Sequence, residues 1–98
     1  GRTDDMLVVR GVNIFPSAVE NIIRGFPEVL EYRLTVNREE NLDVLSIEIE
    51  DRLSAPARIA QELHVRLGLR VDVTNVAVGT LPRFEGKARR VIDNRKKS

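Results

Sequence analysis

The chain has 98 residues, 42% of them apolar and 32% charged, with a formal net charge of +1 and no cysteine. That composition describes one globular domain with apolar content for a modest core, and it excludes a disordered chain, a disulfide framework and thiolate chemistry. No apolar run approaches the ~20 residues of a membrane helix, no signal-peptide pattern opens the chain, and the lack of cysteine fits a reducing, cytoplasmic setting.

In chain order, Met6-Leu7-Val8-Val9 is a short apolar run. Arg10-Gly11 and then Val12-Asn13-Ile14 follow it, which predicts a small hairpin or bent strand turning at Gly11. Pro16 suits the first position of a helix, and Ala18, Val19, Ile22 and Ile23 give that helix an apolar stripe. Gly25 closes it and Pro27 prevents its resumption. Tyr32 to Arg38 reads as a strand with Tyr32, Leu34 and Val36 on one face. Glu39-Glu40-Asn41 is a polar turn. Leu42 to Glu50 returns as a second strand, with Leu45, Ile47 and Ile49 facing in and Ser46, Glu48 and Glu50 facing out. Ser54 is placed to cap a helix with Pro56 in its first turn. Ile59, Leu63, Leu67 and, less well placed, Val65 supply its buried side, and Gly68 ends it. Val71 and Val73, with Val76 or Val78, predict a third strand. The stretch Ala88 to Asn94 suits a strand or a helix equally.

The expected fold class is therefore α+β. A three-stranded sheet and an N-terminal β-hairpin pack with two helices, in a β-α-β-β-α-β order of the ferredoxin-like or ACT-like kind. The chain reads as a single domain over 1–98 with no repeat or internal linker.

Charge is unevenly spread. From Arg83 to Ser98 there are seven basic residues and two acidic ones, so that end carries a surplus of five positive charges over a net-acidic body. All three lysines lie there, and Lys87 is the first. The single histidine, His64, falls inside the second predicted helix with no cysteine beside it, so it reads as structural rather than as a zinc ligand. Ser17, Ser46 and Ser54 have no histidine at suggestive spacing, and no Gly-Lys-Ser/Thr phosphate loop occurs. No metal-binding residues are expected.

Two segments remain. In Glu85-Gly86-Lys87 the glycine gives the loop freedom, and the lysine offers a mobile point charge for a phosphate or carboxylate. A Gly-Lys pair is equally what a surface turn carries. In Gly1-Arg2-Thr3-Asp4-Asp5 an arginine precedes two acidic residues, a pattern that also suits an exposed polar leader.

Taken together, the two ends carry more. Gly1-Arg2-Thr3-Asp4-Asp5-Met6, with Arg10-Gly11-Val12-Asn13-Ile14-Phe15-Pro16-Ser17, resembles the opening of the small C-terminal domain of acyl-adenylate-forming enzymes, in the phenylacetate–coenzyme A ligase branch. Leu81-Pro82-Arg83-Phe84-Glu85-Gly86-Lys87-Ala88-Arg89-Arg90-Val91-Ile92-Asp93 is similar to that branch's terminal catalytic-lysine motif. The resemblance spans essentially the whole chain. It implies a fragment of a ligase that uses ATP, Mg²⁺ and coenzyme A to activate an aryl carboxylic acid. The fragment would be the lid domain, with a hinge at residues 1–5 and the lysine loop at 81–90. By position, Lys87 would be catalytic, Asp4 the hinge residue and Arg2 a nucleotide contact. Gly11 and Asn13 would line the coenzyme A passage, and Gly86 would give the loop its flexibility. Some relatives carry arginine where Asn13 stands. The implied partners are the adenylation domain, ATP or AMP, the acid and coenzyme A, with no nucleic acid or membrane and with homodimerisation left open. The isolated domain would be inactive and hold no tightly bound cofactor. Two other readings remain beside this one: an ACT-like small-molecule-sensing regulatory domain, and a nucleic-acid-binding module built on the basic tail.

Overall fold

The structure, a computed structural model, describes residues 6–83 and 90–95. Two antiparallel strands, β1 (Leu7–Val9) and β2 (Val12–Ile14), form the N-terminal hairpin in the register Leu7↔Ile14, Val8↔Asn13, Val9↔Val12. Arg10 and Gly11 make its two-residue turn with φ of 52° and 78°. Two consecutive positive φ values match the right-handed strand twist, and this is where glycine is required.

Helix α1 (Pro16–Arg24) begins on Pro16 and buries Val19, Ile22 and Ile23. It stops in a tight turn, with the Gly25 amide donating to the Ile22 carbonyl at 3.1 Å and the Phe26 amide to Ile23 at 2.9 Å. Gly25 itself stays right-handed at φ −71°, so the stop owes more to Pro27 than to a left-handed cap.

Strand β3 (Val29–Glu39) and strand β4 (Leu42–Asp51) form a long hairpin around Glu40-Asn41, both again with positive φ. Tyr32, Leu34 and Val36 pair with Ile49, Ile47 and Leu45 on one face, all buried as expected. β3 starts earlier than the apolar alternation suggests and carries a bulge. Val29 pairs with Asp51 and Tyr32 with Ile49, so Leu30 and Glu31 stand against Glu50 alone.

Helix α2 (Pro56–Leu67) connects β4 to a parallel neighbour, β5 (Asp72–Asn75), and ends at Gly68 with φ 78°. α1 and α2 lie against each other, and their Val19, Ile22, Ile23, Ile59 and Leu63 close one core with the inner face of β3 and β4. The 91–93 stretch resolves as a strand, β6 (Val91–Asp93), parallel to β3 with Leu34↔Val91. The sheet is thus four-stranded, in the order β5-β4-β3-β6, because a short β-branched run finds the otherwise unpaired edge of β3.

Three expected positions differ. Ser54 does not cap α2: Ala55 occupies that position without a side-chain bond, and Ser54 sits at φ 51°. Asp51, at the end of β4, instead braces the turn that leads into the helix, accepting from the Leu53 amide at 3.1 Å and the Ala55 amide at 2.9 Å. Val65 is 72% exposed, since its place on the helix turns it away from the sheet. Glu50, on the outward-facing parity, is fully buried. The chain after β5 folds back over that face, bringing Leu81 and Arg83 onto it.

Candidate functional site: the two flanks of the lysine segment and the hairpin

Arg2, Asp4, Gly86 and Lys87 lie outside the described residues. Gly11 and Asn13 lie within them, as do both flanks of the stretch that contains Lys87.

On the leading flank, Leu81 is buried, and its amide donates to Glu50 Oε2 at 2.7 Å. Glu50 Oε1 lies 2.8 Å from Arg83 Nη2, an ion pair outside good hydrogen-bond angles. The Arg83 guanidinium, with the Leu81 and Gly79 amides, outweighs burial and holds the Glu50 carboxyl down at about 2. Glu50 is therefore an anion throughout the neutral range. Arg83, half-exposed and charged, also feels the Glu31 carboxylate.

The trailing flank is the mirror arrangement on the next strand. Arg90 Nε donates to the buried Glu31 Oε1 at 2.7 Å, and its guanidinium lies 5.3 Å from the Tyr32 ring centroid. Burial first, and the Glu20 carboxylate second, push the Tyr32 phenol up to about 12, so it stays protonated and offers no base. Arg90, Tyr32, Glu20, Ile23, Phe26 and Leu30 line an open cleft of about 280 Å³ beside this flank.

The hairpin presents its outer face at the far end of β4. Val8 and Asn13 pair there, both exposed, with Met6 and Phe15 also exposed. Arg10 Nε donates to the Asp43 carbonyl at 2.8 Å. Arg95 Nη1 donates to the Val8 carbonyl at 2.6 Å and to Asp43 Oδ2 at 2.8 Å, and Arg95 also pairs with Asp93. The Arg95 guanidinium, helped by Arg38, holds the Asp43 carboxyl below its usual range. The C-terminal residues thereby pin the hairpin to the sheet. A Cβ added at Gly11 would meet no atom of the described residues within 4 Å, so among them only its backbone angle calls for glycine.

Each described basic residue from position 83 onward is paired: Arg83 with Glu50, Arg90 with Glu31, Arg95 with Asp43 and Asp93. That internal pairing weakens the basis of the nucleic-acid reading. Among the described residues no group of three or more His, Cys, Asp or Glu is arranged to hold a metal, His64 is exposed, and no helix is long and apolar enough to cross a membrane. Sequence reasoning missed Glu31, Glu50, Arg83 and Arg90 as a set. The available signal was two arginines flanking the Gly-Lys pair, each needing a carboxylate partner.

The family model described as the AMP-binding enzyme C-terminal domain matches residues 11–95. The chain is 41% identical to the phenylacetate-coenzyme A ligase of Escherichia coli strain K12 over 97% of its own length and 24% of that protein's. It is 40% identical to the ligase of the same name from Thermus thermophilus, over 98% of this chain and 27% of that one. The chain thus spans about a quarter of the length of these relatives. A solved domain of a phenylacetate-coenzyme A ligase from Bacteroides vulgatus superimposes with a TM-score of 0.83 at 30% identity, covering all of both chains. A 2-hydroxyisobutyryl-CoA ligase, solved with its acyl-adenylate and coenzyme A in the thioesterification state, gives 0.84 at 31% identity over 98% of this chain and 22% of that one. With the motifs at its two ends, the four-stranded α+β fold between them and these matches along its length, the chain belongs to the AMP-binding enzyme C-terminal domain family.

Proposed function

We propose that this domain is the mobile C-terminal part of an ATP-dependent, AMP-forming coenzyme A ligase acting on an aryl carboxylic acid of the phenylacetate kind. The observation that carries the reading is the near-complete match of the chain to phenylacetate-coenzyme A ligases at 40–41% identity. The reaction has two halves. The carboxylate first attacks the α-phosphate of Mg²⁺-bound ATP, giving an acyl-adenylate and pyrophosphate. The coenzyme A thiol then attacks the acyl carbon, the acyl–phosphate bond breaks, and AMP leaves.

In the first half two anions must meet. Lys87 donates its ammonium protons to the carboxylate and to phosphate or ribose oxygens, offsetting the repulsion and aligning attack. Gly86 lets the backbone approach. Arg2 contacts the nucleotide. In the second half the domain turns about Asp4, withdraws Lys87 and presents the hairpin, where Gly11 and Asn13 border the passage for the pantetheine arm. The described geometry supports this division: Gly11 and Asn13 share one hairpin at one end of β4, while the flanks of the lysine segment are fastened at the other. The adenylation domain is the required partner, and the 98-residue chain alone has no activity.

The test is Lys87→Ala in the full-length ligase. Acid-dependent ATP–pyrophosphate exchange should fall by on the order of 10²–10³, the usual loss for one electrostatic donor. Thioesterification of supplied acyl-adenylate should persist. Equal loss of both half-reactions would remove Lys87 from the role.

A further inference from the structure

We infer that Glu31 and Glu50 are positioning residues for adenylation: set opposite each other by the β3–β4 register, they fasten the two flanks of the Lys87 segment to neighbouring strands. The role rests on the ligase reading above.

The hairpin register brings the pair about. The pairing Tyr32↔Ile49, continued by one residue, sets Glu31 against Glu50, and the bulge leaves Leu30 as the extra residue before Val29 meets Asp51. Adjacent strands are only ~4.8 Å apart, so the two carboxylates share one neighbourhood. The Glu31 carboxylate accordingly acts on Arg83 as well as on Arg90. Each carboxylate is answered by an arginine, Glu31 by Arg90 and Glu50 by Arg83.

Stability alone is a poor reason for the arrangement. Glu50 is fully buried and Glu31 5% exposed, whereas the Arg83 side chain is 54% exposed. An apolar residue at a buried ion-pair position often does as well or better, while a buried pair fixes which groups meet. What these two pairs fix is where residues 83 and 90 sit, with six residues between them. Glu50 takes the Leu81 amide and the Arg83 ion pair, and Glu31 takes Arg90 Nε, which allows little play in those ends. A misplacement of about 1 Å in a reacting group can cost 10²-fold in rate, so loose flanks would be felt at Lys87.

The experiment uses the full-length ligase with Glu31→Gln, Glu50→Gln and, as reference, Lys87→Ala. The glutamine variants keep shape and remove charge. Each should lower the kcat of acid-dependent ATP–pyrophosphate exchange about 10- to 100-fold, with KM for ATP and acid within three-fold of the parent. Thioesterification of supplied acyl-adenylate should stay within three-fold. A purely structural role predicts a lower melting temperature and similar losses in both half-reactions, and that result would overturn the inference. If Glu50→Gln lowers the melting temperature by more than about 10 °C, Arg83→Gln at the half-exposed partner takes its place under the same criteria. If Lys87→Ala abolishes exchange while the glutamine and Arg83 variants leave it intact, the positioning role fails and the ligase reading stands. If Lys87→Ala leaves exchange intact, Lys87 is not the adenylation cation and the positioning role fails with it, whereas a parent enzyme with no acid-dependent exchange would overturn the ligase reading itself.

Discussion

Asp51→Asn isolates the residue that ties β4 to α2. Asp51 accepts from the Leu53 and Ala55 amides and holds Arg58 Nη1 at 2.7 Å, with its side chain fully buried. The Arg58 guanidinium, against burial and with the two amides, lowers its carboxyl from 3.8 to about 2. At about 1.4 kcal/mol per pKa unit, that difference of roughly two units is worth about 2–3 kcal/mol of folding free energy. The figure falls between losing a helix cap alone, ~0.5–2 kcal/mol, and breaking a fully buried ion pair, ~3–5 kcal/mol. An intermediate value is reasonable, because Arg58 is 29% exposed and keeps Glu28 at 3.2 Å. In a domain of this size each kcal/mol shifts the melting temperature by about 4–8 °C, so the variant should melt roughly 10–20 °C lower at pH 7. Because the folded pKa lies below the unfolded one, this stability is fully present above about pH 5. It is lost progressively as the pH falls through about 2, and only below that are both states protonated. Circular dichroism melts of the 98-residue chain across pH 2–7 would measure it, and the Bacteroides vulgatus relative solved as a domain of matching extent makes that chain a reasonable object. A difference below about 3 °C at pH 7, or one that stays constant down to pH 2, would refute the argument.

Two further predictions concern the hairpin and the basic end. Gly11→Ala forces a side chain into φ 78°, which costs about 1–2 kcal/mol of domain stability. No atom of the described residues lies near the new methyl, so a larger loss confined to thioesterification would point to the coenzyme A passage; coenzyme A titrations of the two half-reactions measure it. Because Arg83, Arg90 and Arg95 are internally paired, a fluorescent oligonucleotide titrated by anisotropy at 100 mM salt should bind no tighter than about 100 μM, the weak edge of non-specific association. Micromolar binding with a steep salt dependence would restore the nucleic-acid reading.

Much of the fold was legible because local chemistry and tertiary structure agree. Gly11 marks a turn that needs positive φ, Pro16 a helix start, and the alternation through Leu45, Ile47 and Ile49 an inner sheet face. The failures share one cause: they depend on what arrives from elsewhere in the chain. Alternation assigns Glu50 to the outer face but says nothing of Leu81 and Arg83 later covering it. The bulge at Leu30 and Glu31 is hidden because Val29-Leu30 reads as part of a loop once the regular pattern is taken from Tyr32. Ser54 has the right composition for a cap, yet Asp51, three residues upstream, holds the turn through the Leu53 and Ala55 amides, and Ser54 sits at φ 51° one residue before the cap position. Residues 91–93 show their state only when an open edge of β3 is there to receive them. For the site, the motifs singled out Gly11 and Asn13 and the structure puts them on one hairpin, whereas the carboxylates fastening the lysine segment carry no motif at all.

The division between arginine and lysine gains a physical sense from these pairings. The chain has only three lysines, all after position 86, and uses arginine for every earlier basic residue. Arginine's planar, permanently charged fork suits fixed pairing with a carboxylate, and the described arginines around the sheet are used in that way: Arg33 with Glu48, Arg58 with Asp51, Arg83 with Glu50, Arg90 with Glu31, Arg95 with Asp43. A lysine ammonium is a compact point charge on a flexible stem and holds no such geometry. On the ligase reading, the reaction needs a cation during adenylation that must be withdrawn before the thiol attacks. An arginine committed to a carboxylate cannot be that group, and Lys87 stands between two arginines that are. The flanking pairs spend their charge inside the domain, and on the same reading the charge offered to the reacting anions comes from Lys87, a residue type suited to release what it has held.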